Sequence, residues 1–154
     1  GERFSLIPQN VDDLHERAGA GRVLHMHGEL YKARCVDCAG VVEWREDISL
    51  DDACRACSGR MRPHIVWFGE IPFHLEKEIP AACNGCGVFF SIGTSGVVYP
   101  AAGLAGMVHS TGGLCAEINL ETSPANAVFE LQLEGPAGEV LPALLDELEL
   151  QSGA

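Results

Sequence analysis

Basic residues are scarce in this chain. It has 10 lysines and arginines against 22 aspartates and glutamates, a formal net charge of −12 over 154 residues. A general nucleic-acid binder needs a basic face for phosphates, so the charge argues against that class. An acidic surface favours solubility and can attract basic peptides, although a merely solvated face is the plain alternative. No stretch reaches 18 uninterrupted apolar residues, which argues against a membrane-spanning helix; no membrane or nucleic-acid partner is expected. The first residues lack a signal-peptide pattern and an initiator methionine, and the chain enters an apolar run at Phe4 almost at once. That abruptness suggests a cut boundary, a processed chain or a fragment. Internal repeats and low-complexity segments are also absent. Even cysteine pairing is missing: there are seven, whereas a secreted disulfide scaffold is usually shorter and evenly paired. A reducing, intracellular compartment is the better reading, cytoplasmic, or mitochondrial in a eukaryote.

What remains is an ordinary globular composition, 47% hydrophobic and 21% charged. A chain of this size buries roughly 68–70% of its unfolded surface. One domain, or one domain with a small inserted module, is the prior. "FSLIP" (4–8) and "VLHMH" (23–27) read as short strands ending in polar residues, with helical "DDLHERAG" (12–19) between them. "FHLEKEIPAACNGC" (73–86) opens like a helix that Pro80 restricts. "VFFSIG" (88–93) reads as a strongly buried strand, "PAAGLAGMVHS" (100–110) as a helix, and "LCAEINL" (114–120) and "AVFELQL" (127–133) as further strands. "AGEVLPALLDELEL" (137–150) closes the chain as an amphipathic helix, with Val140, Leu141, Leu144, Leu145 and Leu148 on one face. Strands alternating with helices describe an open α/β sheet. Ligands of such sheets bind outside the carboxyl ends of the strands. The groups to examine are therefore Gln9-Asn10-Val11-Asp12, His27, Gly93-Thr94-Ser95 and Asn119-Leu120-Glu121.

Residues 31–66 differ, with close cysteines, many charges and few apolar runs. Cys35-x2-Cys38, fifteen intervening residues and Cys54-x2-Cys57 have zinc spacing. Four sulfurs close a tetrahedral shell around one structural zinc per chain and leave no position for water. Zinc supplies about 10–16 kcal/mol of apparent folding energy to zinc-finger peptides at neutral pH, and so thin a module needs such support. His25 and His27 are not required as ligands. Cys83 and Cys86 form a third CxxC without a partner pair. They read as small packed residues, a redox dithiol or second metal site being the alternative; Cys115 reads as core.

Taken in order, "LIPQNVDDLHERAG", "VLHMHGEL", the paired CxxC module, "RPHIVWFGE", "IGTSGVVYPAAG", "EINLE" and "GPAGEVLP" closely resemble the sirtuins, NAD-dependent protein-lysine deacylases. The similarity runs from about Leu6 to the last helix. It implies a Rossmann-like parallel sheet binding NAD, formed by residues 1–30 and 67–154, with a zinc-binding module at 31–66. It also implies attack of an acyl-lysine carbonyl oxygen on the ribose carbon bearing nicotinamide, with the acyl group ending on ADP-ribose. The family's general base is the histidine followed by Gly-Glu, here His27. Imidazole is the side chain best suited to take up a proton near neutral pH. Gln9, Asn10 and Asp12 match the nicotinamide and ribose pocket, turn-forming or capping being the alternative. Gly93, Thr94 and Ser95 match a cofactor-contacting turn, Asn119, Leu120 and Glu121 the adenosine-ribose segment, and Ala137 the adenine side. Val66, Phe68, Gly69 and Glu70, with Gly96 and Val97, match the two segments that sandwich an extended acyl-lysine peptide; Val66, Trp67 and Phe68 can equally be core residues.

Within the family, "HMHGEL" and "RPHIVWFGE" are similar to the bacterial and mitochondrial branch, which covers deacetylase and desuccinylase types. Pro8 stands where Thr is common, and Asp13 where Gly or Asn is. The family's N-terminal strand–loop–helix, with "GAGxS" and a downstream "FR", is absent. Its backbone N–H groups would hold the cofactor phosphates, so a further segment or partner chain is expected to supply them. The 154 residues alone are expected to bind NAD weakly and turn over poorly. Other readings are a non-catalytic zinc-stabilised interaction module, an NAD-dependent ADP-ribosyltransferase, and a thiol redox protein using Cys83 and Cys86.

Overall fold

The computed structural model describes residues 4–121 and 127–152. They form two compact units that divide between Ala81 and Ala82. In the first unit a short helix, α1 (Leu14–Arg17), is followed by three antiparallel strands, β1 (Gly28–Cys35), β2 (Val41–Glu43) and β3 (Met61–Ile65), in the order β2-β1-β3. Arg34 pairs Val41 on one side and Arg62 on the other, and Cys35 pairs Met61. The register shifts between Gly28 and Ala33, so β1 bends between the His27 turn and its cysteine end. The sheet begins at Gly28, so the His-Gly-Glu motif leads straight into the central strand of the cysteine module. Leu24, Met26, Ala33, Cys35 and Ile79 are buried.

The second unit takes in the end of α2 (Glu78–Cys83) and contains β4 (Val88–Ile92), a 3-10 turn (Ala101–Gly103), α3 (Leu104–Ser110), β5 (Leu114–Asn119), β6 (Leu131–Glu134) and α4 (Ala137–Ser152). The sheet is parallel, ordered β4-β5-β6. A central parallel strand is covered on both faces, and Cys115, Ala116, Glu117 and Ile118 of β5 are all buried. The buried Glu117 carboxylate accepts a hydrogen bond from Gln132 Nε2 at 2.9 Å, as a buried charge requires. Leu104, Ala105 and Val108 form the buried face of α3. Pro80 lies in the first turn of α2, where its missing N–H costs little.

Several elements differ from the sequence expectation. The strands expected at 4–8 and 23–27 are reduced to one parallel bridge, Leu6 to Val23. A strand is maintained by its ladder, and the further backbone bonds of these segments to distant residues are single ones, from Phe73 N–H to the Met26 carbonyl and from Val66 N–H to the His27 carbonyl. The 127–133 strand starts only at Leu131, where pairing with Ala116 begins. The strongly buried strand at 88–93 is an edge of the described sheet, and Val88, Phe90 and Ile92 are exposed. Leu145 and Leu148 of α4 are exposed as well. No helix among the described residues is long and apolar enough to cross a membrane.

Ile118 has no exposed surface, so Ile118→Ala is expected to cost about 2–5 kcal/mol. Leu145→Ala, at a half-exposed position, should cost under about 1 kcal/mol; the midpoints of urea unfolding measure both.

Candidate functional site: a four-cysteine centre and two groups of polar residues

The two CxxC segments fold alike. In the first, Cys35 N–H donates to the Gly40 carbonyl (2.9 Å) and Ala39 N–H to the Cys35 carbonyl (3.1 Å). In the second, Cys54 N–H donates to Gly59 (2.8 Å) and Ser58 N–H to Cys54 (2.8 Å). Each turn passes through a left-handed residue, Ala39 at φ 59° and Ser58 at φ 62°, and then a glycine. The signal was present in the sequence as a repeated Cys-x2-Cys-small-Gly. Gly59 must stay bare, because a Cβ there would lie 2.8 Å from Cys35 Sγ.

These turns bring all four sulfurs within 4.8 Å of one another. Cys35 and Cys57 are 3.5 Å apart, and Cys38 and Cys54 3.7 Å. A tetrahedron with bonds of ~2.3 Å has edges of about 3.8 Å, so the cluster fits a zinc ion. The backbone N–H groups of Ala56 and Cys57 hold the Cys54 thiol down at about 7. Cys57 is pushed up to about 12: the Gly59 N–H pulls it down, but the crowded Cys35 and Cys38 sulfurs outweigh it. Four sulfurs this close need a cation to ionise together. A shell of four thiolates has no open position, so an ion held there would act as a strut.

His27 sits in the turn before β1. Gly28 follows at φ +92°, and a Cβ on it would lie 2.0 Å from the His64 carbonyl oxygen; only glycine lets β3 approach here. His27 Nδ1 lies 2.9 Å from the Gln9 carbonyl oxygen. A carbonyl only accepts, so Nδ1 carries the proton and the neutral ring keeps its Nε2 lone pair for another group. Gln9 is thus joined to His27 through its backbone. Asp12 Oδ1 accepts the Leu14 N–H at 3.1 Å and so caps α1; Asn10 is exposed. His25 is buried and bonded to Glu16 (2.6 Å), remote in role from the sulfur cluster. His64 stacks on Phe73 with centroids 4.5 Å apart, and burial lowers its pKa.

Val66, Phe68, Gly69 and Glu70 form the loop after β3. Phe68 is fully exposed rather than core. The Glu70 carboxylate is held at about 2 by the Arg62 guanidinium and the Trp67 N–H. A depressed carboxylate stabilises the fold above its unfolded value and loses that contribution as pH falls through about 2. The Arg34 and Arg62 partners of Glu70 escaped the sequence reading, because nothing in the spacing links them.

In the second unit the predicted residues gather at the carboxyl ends of the parallel strands. Gly93, at φ +61°, follows β4 and donates its N–H to Ile118 (2.9 Å). Asn119 Nδ2 donates to the Thr94 carbonyl (2.7 Å), joining the Gly93–Ser95 turn to the end of β5. Leu120 and Glu121 follow, both exposed. Ala137 opens α4 just after β6, and Gly135 N–H donates to the Asn119 carbonyl (2.9 Å). Gly96 and the exposed Val97 continue the loop after β4. This is the edge at which open α/β sheets take nucleotides. Cys83 is buried, which raises its pKa and blunts a thiol nucleophile; Cys115 is buried too.

Comparison with known proteins agrees with this geometry. Residues 1–100 match the Sir2 family. An NAD-dependent protein deacylase of Salmonella typhimurium is 44% identical over 149 residues, 96% of this chain and 54% of that protein. One of Yersinia pseudotuberculosis is 46% identical over 149 residues, 96% of this chain and 53% of the other. The chain therefore spans about half the length of these relatives. Among solved structures, a Sir2 homolog–NAD complex superposes with a TM-score of 0.86 at 37% identity, covering 96% of this chain and 59% of that one. A Sir2–p53 peptide–NAD+ complex gives 0.79 at 28% identity, covering 96% and 64%.

Zinc binding should release thiol protons, so affinity should fall steeply as pH drops from 7.5 to about 5. A strong chelator, or Cys38→Ser, is expected to remove one zinc per chain together with amide protection at Ala33 and Cys35. Metal analysis alongside hydrogen exchange checks this, and retained protection in the metal-free chain would refute it.

Proposed function

The chain belongs to the Sir2 family, and from that premise we propose that it is the histidine- and metal-bearing part of an NAD-dependent protein-lysine deacylase. One observation carries the proposal: His27 Nδ1 is committed to the Gln9 carbonyl at 2.9 Å, which leaves Nε2 as the base. NAD, when bound, would supply the ribose carbon that takes the acyl-lysine oxygen in exchange for nicotinamide. His27 Nε2 takes the proton of a ribose hydroxyl, a role usually contributing about 10²- to 10⁴-fold. Gln9, Asn10 and Asp12 are assigned to the nicotinamide and its ribose, and Gly93, Thr94, Ser95, Asn119, Leu120, Glu121 and Ala137 to the rest of the nucleotide. The substrate is an acylated lysine in a protein or peptide, with Val66, Phe68, Gly69, Gly96 and Val97 along its backbone. The family's glycine-rich phosphate loop would come from another segment or chain. A reducing, cytoplasmic setting belongs to the same reading, since an oxidising one would convert the gathered thiols to disulfides.

The test is nicotinamide release from acetylated and succinylated peptides at millimolar NAD. Slow release that falls at least about 100-fold in His27→Ala, with zinc content unchanged, is expected. Release that survives His27→Ala would sink the assignment of the base.

A further inference from the structure

The loop after β3 is tied at both ends. At its start, Val66 N–H donates to the His27 carbonyl at 2.9 Å. At its end, the Glu70 carboxylate accepts from Arg62 Nη1 (2.5 Å), Arg62 Nη2 (3.2 Å), Arg34 Nη2 (3.1 Å) and the Trp67 N–H (3.0 Å). Three of these bonds converge on Oε2 and one on Oε1, so most of the acceptor capacity of the Glu70 carboxylate is spent inside its own chain. Arg62 also donates to the Ile65 carbonyl (3.0 Å) and lies 3.8 Å from the Trp67 ring centroid. Between these ties Trp67 is 56% exposed and Phe68 100%: a fixed backbone presents two aromatics to solvent.

Arg34 and Arg62 are register partners on β1 and β3, one step from the Cys35–Met61 pair. Two like charges directly opposed across a sheet repel. The Glu70 carboxylate pairs with both and offsets their repulsion, and its fork with Arg62 is the geometry that fixes direction as well as distance. The links close a ring: His27 to Val66, along the loop to Glu70, across to Arg34, and back down β1 to the His27 turn.

We propose that Glu70 is a positioning residue rather than a peptide contact, and that the Arg34–Glu70–Arg62 clamp sets the pose of the Val66–Gly69 segment that grips an extended peptide. The identity of that peptide rests on the deacylase reading; the ordering of the loop does not.

Glu70→Gln in the full chain keeps the size and one acceptor oxygen but removes the charge. Amide exchange at Trp67 and Glu70 is expected to accelerate at least about tenfold, while Ala33 and Cys35 stay within about threefold. With turnover, KM for an acylated peptide should rise about five- to twentyfold while kcat holds within about twofold. A native chain with no turnover defeats the deacylase reading alone, and the exchange data still decide the clamp. Arg62→Lys keeps the charge but loses the fork, and should loosen the same two amides. It stands in for Glu70→Gln if that variant does not fold. Unchanged exchange at Trp67 and Glu70, equal acceleration along β1, or a fall in kcat at constant KM would each overturn the proposal.

Discussion

Four sulfurs within 4.8 Å of one another are the constraint on which the first unit depends. Two turns of the same design end β1 and precede β3, and a cation shared by their sulfurs would tie together the strand ends next to the Arg34–Arg62 pair. The apolar contribution here is small, with Leu24, Met26, Ala33, Cys35 and Ile79 as the buried hydrophobic set. An ion worth about 10–16 kcal/mol of apparent folding energy in small peptides is comparable with the whole net stability of a typical domain, about 5–15 kcal/mol. The consequence extends beyond the cluster, because β1 joins the Cys35–Cys38 turn to the turn that carries His27.

The second unit rests on a different physical basis. There β5 is buried from Cys115 to Ile118, and parallel pairing aligns the strand ends so that Gly93 bonds Ile118 while Thr94 and Gly135 bond Asn119. Rigid strands supply positions, and the loops that leave them supply function. The buried Glu117–Gln132 bond is tolerated because the partner strand is in register to satisfy it.

Elements with strong local signals were legible. The strand at 88–92, the strand at 114–119 and the helix from Ala137 match the residue pattern closely, and the cysteine spacing named its ligands outright. The segments around Leu6 and Val23 were not legible, since apolar residues make a strand only where a ladder partner exists, and only one bridge forms. The exposure of Val88, Phe90 and Ile92 follows from the same principle: residue type reports what can be buried, and neighbouring strands decide what is.

The sequence by itself determined the four-cysteine cluster and the parallel architecture of the second unit, and it singled out His27 as the proposed base. These depend on spacing within a turn or on the content of a single strand, which chain connectivity enforces. Tertiary structure alone decided which nitrogen of His27 is free, because its partner carbonyl is 18 residues away. It also decided the partners of Glu70, two guanidinium groups 8 and 36 residues away. Hydrogen bonds are directional, and no residue pattern orients a donor toward an acceptor until strand register has placed both.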